Sequence, residues 1–69
     1  MATEIKPFDV VALTEDIPDH SLKRGQVGTV VEVLGPEALE VEFSDNNGHT
    51  YAMLALCADQ LLVLHYQPT

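Results

Sequence analysis

Eleven carboxylates stand against three basic side chains in this 69-residue chain, and they set the chemistry open to it. Glu40 and Glu42 alternate with Leu39, Val41 and Phe43, and Glu32 lies on an earlier apolar stretch. Paired carboxylates divide general-acid and general-base work when burial separates their affinities for the proton. On the polar face of an alternating strand they stay hydrated instead. The pattern therefore predicts an outer face that keeps the chain in solution or docks a basic partner. A second acidic group, Glu15, Asp16 and Asp19, shares a loop with Pro18. Carboxylates suit a hard cation, but this spacing lacks the calcium-loop pattern. Glu15, Asp16, Asp19, Glu40 and Glu42 are the candidate partner-binding residues.

The remaining reactive side chains form no recognisable set. His20, His49, His65 and Cys57 are zinc-ligand types, yet no two show the short spacing from which zinc sites are built. Cys57, between Leu56 and Ala58, reads as a small packed hydrophobe. Lys23-Arg24 precedes Gly25 without the glycine spacing of a phosphate loop, so it decorates an exposed turn. The aromatic residues are Phe8, Phe43, Tyr51 and Tyr66, with no tryptophan. Phe8 and Phe43 read as core, which leaves little for an aromatic groove of the kind that holds proline-rich peptides. No nucleophile motif is present. The chain reads as a non-enzyme, with no catalytic residue, cofactor or metal assigned.

A formal net charge of −8 bears on partners. Nucleic-acid binding needs a basic surface that neutralises phosphates, and an anionic membrane repels the same charge. A basic protein, by contrast, is steered toward it. With Cys57 alone, no intrachain disulfide forms, and no basic start followed by an apolar run marks a signal peptide. Leu61–Leu64 is far too short to span a bilayer. The expectation is a cytoplasmic protein, a monomer or weak homodimer, whose small core gains from a partner.

The elements that position these residues are short strands. A polar tail, 1–6, precedes Pro7 and a first strand over Phe8–Leu13, apolar almost throughout. Thr14–Ser21 is a long loop in which Ile17, its single large apolar residue, is expected to tuck inward. Gly25 and Gly28 then open into a valine-rich strand running to about Leu34, where Gly35-Pro36 stops it. Leu39–Phe43 alternates strictly, with Leu39, Val41 and Phe43 inward. Ser44–Gly48, carrying Asn-Gly, is a hairpin loop, and His49–Leu54 returns beside Glu40 and Glu42, with His49 or Tyr51 opposite them. Ala55–Gln60 reads as a single helical turn, Leu61–Tyr66 as the last strand and 67–69 as a tail. This order predicts an all-β fold, a five-stranded SH3-like barrel over residues 7–66 with a one-turn helix before the last strand. An oligonucleotide-binding barrel is the rival, but it wants a longer helix between its third and fourth strands.

Phe8–Leu13, the run Leu22-Lys23-Arg24-Gly25-Gln26-Val27-Gly28-Thr29-Val30-Val31, Val41-Glu42-Phe43 and Asp59-Gln60-Leu61 together resemble the family called domain of unknown function 4926. The resemblance runs from about Pro7 to Leu64 and is carried most specifically by Leu-x-x-Gly-x-x-Gly-Thr-Val. It implies a small acidic protein of cyanobacteria and other bacteria, SH3-like in fold, with antitoxin-like pairing to small toxins and no site residues to carry over. The same glycine-valine stretch resembles the KOW element of ribosomal and transcription-elongation proteins. Those proteins are basic and bind RNA, so only their fold carries over. The function expected is a non-enzymatic module that binds a basic protein through acidic surfaces, an antitoxin-like role being one instance. The alternative is a structural accessory subunit of a larger assembly, as in photosynthetic complexes.

Overall fold

The computed structural model describes residues 5–65. Five strands form one antiparallel sheet: β1 (Val10–Leu13), β2 (Val27–Val33), β3 (Ala38–Ser44), β4 (Thr50–Cys57) and β5 (Leu61–Val63). Their order is β4-β3-β2-β1-β5, so the last strand returns beside the first. The expected all-β, five-stranded architecture is the observed one, as is the 3₁₀ turn Ala58–Gln60 before the last strand. A second 3₁₀ turn, Pro18–His20, lies within the long loop. No ladder joins β4 to β5 among the described residues, and both remain edges. No helix there is long and apolar enough to cross a membrane.

Side chains alternate across a strand, so a single sheet encloses a core only by curling. The buried residues of all five strands meet in one cluster with Leu22. Val41, Phe43, Val11 and Val30 are wholly enclosed at its centre. Ile17 packs against this cluster from the loop, as expected, and bridges to Leu22. Ile5, the described apolar residue of the segment read as a polar tail, packs there too.

Gly25 and Gly28 serve different purposes. Gly25 has φ +92°, with open space where a side chain would be. It is present for its backbone conformation, while its N–H closes onto the Leu13 carbonyl at 2.8 Å. Gly28 is present for proximity. A Cβ there would lie 2.8 Å from Val41 Cγ1, 2.9 Å from the Glu42 carbonyl oxygen and 3.0 Å from Phe43 Cδ2. Here β2 presses directly onto the inner face of β3.

Two irregularities set which side chains face out. The pairing of β2 with β3 shifts at Val31: Val30 faces Val41, but Glu32 faces Glu40. Strict alternation would put Glu32 on the same face as Val30, in the core. One inserted residue turns it outward instead. The pairing of β3 with β4 shifts at Tyr51, between the Phe43–Ala52 and Ser44–Thr50 pairs. Tyr51 lies near Phe43, with ring centroids 6.4 Å apart, and its hydroxyl meets Gln26 Nε2 at 3.2 Å. That bond ties edge strand β4 to the turn leading into β2.

Several expectations need correction. Phe8 is not core: it is 78% exposed and sits at φ +73° in a turn, so β1 begins only at Val10. The nearly continuous apolar run of β1 turns only one face to the core: Val11 and Leu13 are buried while Val10 and Ala12 are half-buried. Ala55–Cys57 is strand and not helical turn, because β4 runs on to Cys57. Leu54 and Leu56 are buried there, which leaves Cys57 outward and exposed. β5 ends at Val63, and Tyr66 lies outside the described residues.

Gly28→Val is expected to destabilise the fold by about 1–3 kcal/mol, because the contacts it meets include main-chain oxygen and an enclosed core. Gly35→Ala, at a position with open space around it, serves as the control. Urea unfolding of the two variants checks this, and equal midpoints would remove the close-approach account.

Candidate functional site

The five candidate carboxylates fall into two separate places. Glu15 and Asp16 follow β1 and do structural work. Asp16 Oδ1 accepts the Arg24 N–H at 2.8 Å, which holds the turn around Gly25. Glu15 Oε2 accepts from Gln60 Nε2 at 3.3 Å, and Thr14 donates to the Asp59 carbonyl oxygen at 3.2 Å. The first loop is thereby fastened to the 3₁₀ turn before β5. Asp19 lies in the Pro18–His20 turn, exposed, with no side-chain hydrogen bond among the described residues. A shallow depression lined by Asp16, Pro18, Ser21, Leu22 and Lys23 adjoins it.

Glu40 and Glu42 lie on the outer face of β3, as the alternation predicts, and each is half-buried. Their neighbours are not the expected His49 or Tyr51. Glu40 stands between Glu32 on β2 and Ala55 on β4, and Glu42 between Thr29 and Met53. The shift at Tyr51 and the extension of β4 to Cys57 move the pairing. Glu42 Oε2 accepts the Thr50 hydroxyl at 2.7 Å. Glu32 and Glu40 have no such partner among the described residues.

Two carboxylates directly opposite each other on one face repel, and such a pair costs the sheet stability unless a cation answers it. None does so from within the described residues. The one charged contact found there is His49 Nδ1 to Asp45 Oδ2 at 3.6 Å, in the hairpin loop, and it needs a protonated imidazole. Lys23 and Arg24 are exposed at the turn before β2, and no salt bridge there involves them. Among the described residues no three of His, Cys, Asp and Glu gather as metal ligands do. Cys57, at the end of β4, is exposed beside Glu37, Ala58 and Asp59 around a small depression.

Sequence reasoning placed Glu40 and Glu42 outward but missed the Glu32–Glu40 pair, because the Val31 bulge leaves no mark in composition. It also missed the apolar side chains of β4 beside them. Met53 is 52% exposed, and Ala55 and Cys57 are exposed with it. The signal for that face was present in Leu54-x-Leu56, whose period of two turns the residues between them outward.

The family model for a domain of unknown function, DUF4926, matches residues 8–63, and the chain belongs to that family. No curated protein and no solved structure matches the chain.

Glu40→Gln removes the cross-strand repulsion without altering shape. It is expected to raise stability by a few tenths to about 1 kcal/mol at low salt, with the gain shrinking as salt screens the pair. Asp16→Ala, which frees the Arg24 N–H, is expected to cost about 1 kcal/mol at any salt. Thermal unfolding of both variants at two ionic strengths checks this. An Asp16 cost that vanished in salt, or a Glu40 gain that did not, would reverse the roles assigned to them.

Proposed function

We infer that this member of the DUF4926 family is a cytoplasmic, non-enzymatic interaction module that binds a basic protein through the outer acidic face of β2 and β3. The observation that carries the reading is the Glu32–Glu40 pair: like charges held face to face, with no cation to answer them among the described residues. A basic side chain from a partner, placed between them, turns a repulsion into two attractions. The net charge of −8 draws such a partner in from a distance and orients it. The pairs formed at the surface set encounter rate and register more than raw affinity.

Glu40 and Glu42 are the contact residues in this reading, joined by Glu32. Glu15 and Asp16 contribute to the general field but are committed to internal hydrogen bonds. Asp19 is free to contribute a contact at the rim. An antitoxin-like role, in which the acidic face neutralises a small basic toxin, is one instance of the same chemistry.

The test is affinity purification with tagged chain at low salt, beside a Glu32→Gln, Glu40→Gln, Glu42→Gln triple variant. The expected result is a basic protein retained by the unaltered chain, released at high salt and absent from the triple variant. Equal recovery by both chains, or nothing above background, removes the reading. Recovery of a large complex at fixed stoichiometry, unaffected by salt, makes the chain a structural subunit instead.

A further inference from the structure

β4 is an outer strand of eight residues, Thr50–Cys57, with no charged residue and no proline in its length. Long edges of this kind present unpaired main-chain donors and acceptors, and chains usually blunt them with lysine, proline or a cover. The groups that point outward follow from the ladder. The Ala58 N–H donates to the Glu37 carbonyl oxygen at 2.9 Å, one step beyond the Ala38–Cys57 pair. In an antiparallel pair, hydrogen-bonded and non-bonded positions alternate. Leu56, Leu54 and Ala52 therefore bond to β3, while Cys57, Ala55 and Met53 turn their N–H and C=O groups away from it. The Cys57 N–H is taken by Gln60 Oε1 at 2.8 Å. That leaves Met53 and Ala55, at the centre of the edge, with main-chain groups that no described residue pairs.

We propose that the basic partner docks by adding a β-strand to the free edge of β4, main chain to main chain at Met53 and Ala55, as an extended segment in which basic and apolar residues alternate. This rests on the basic-partner reading above and specifies how that partner is held. Charge chooses the occupant. Ala55 lies directly between Glu40 and the free edge. A strand added there runs about 10 Å from β3, two inter-strand spacings away. A lysine or arginine opposite Ala55 shares the face of Glu40, and the small alanine lets its aliphatic stem lie across and bring the cation toward Glu40, the nearer member of the Glu32–Glu40 pair. The next outward residue lies beside Met53, in line with Glu42. Alternate residues of the added strand face inward, next to Leu54 and Leu56, and there apolar side chains fit. A second copy of this chain pairs less well, since it would bring another acidic face to the same edge.

The test uses a fluorescent seven-residue peptide alternating valine with lysine, measured by anisotropy, beside a peptide of the same residues in block order. Ala55→Pro removes one of the two outward N–H groups and leaves the β3 ladder intact, since proline is tolerated on the solvent side of an edge. The expected result is binding of the alternating peptide, about tenfold weaker for the block peptide and for Ala55→Pro, in line with the loss of a good hydrogen bond. Methylating alternate main-chain nitrogens of the peptide gives the same loss without altering the protein, so a poorly folded variant does not decide the matter. If both peptides bind equally and neither proline nor methylation weakens them, strand addition is overturned and the acidic-face reading stands. If neither peptide binds, both fall. If sedimentation shows the chain alone to be a dimer that Ala55→Pro dissolves, a second copy occupies the edge and this proposal is wrong.

Discussion

The approach of Gly28 to the inner face of β3 is the constraint on which the rest of the structure depends. Only a residue without Cβ lets the β2 main chain come so near Val41 and Phe43. That closeness keeps a single sheet curled enough for five short strands to share one core. Two bulges complete the curvature: the one at Val31 sits within β2, and the one at Tyr51 within β4. Bulges bend a strand and raise its twist. The bulge at Val31 also sends Glu32 outward to face Glu40, so the device that shapes the sheet also produces the pair of carboxylates that no cation answers among the described residues.

Much of this was legible in the chain, and where it was not the reason is physical. Leu39–Phe43 could be read because each residue obeys a period of two and both faces differ sharply in polarity. The Ser44–Gly48 loop could be read because its residues carry the turn themselves: Asp45 Oδ1 accepts the N–H groups of Asn47 and His49, and Gly48 supplies φ +82°. Phe8 was misread because hydrophobicity alone cannot tell a core residue from one left in a turn by the main chain. Cys57 was misread because its apolar neighbours suggest burial, while the alternation set by Leu54 and Leu56 turns it out. The bulges were invisible because one extra residue changes register without changing composition.

The acidic residues show the same division. Those in the first loop read as a functional surface, yet Asp16 and Glu15 hold the loop to the turn before β2 and to Gln60. A carboxylate in a polar loop is as often a local acceptor for main-chain N–H groups as a docking group. Of those on β3, Glu42 accepts the Thr50 hydroxyl while Glu40 has no such partner among the described residues. Their position beside the uncharged edge of β4 gives the proposed partner both its charge pattern and its extended shape.

Strand addition depends on β4 keeping a pairing-competent edge at Met53 and Ala55, which no described residue covers. Amide hydrogen exchange on the protein alone tests it most directly. The expected result is alternation along the strand, with slow exchange at Ala52, Leu54 and Leu56 and fast exchange at Met53 and Ala55. Uniform protection from Ala52 to Leu56 would contradict it, because the edge would then already be covered.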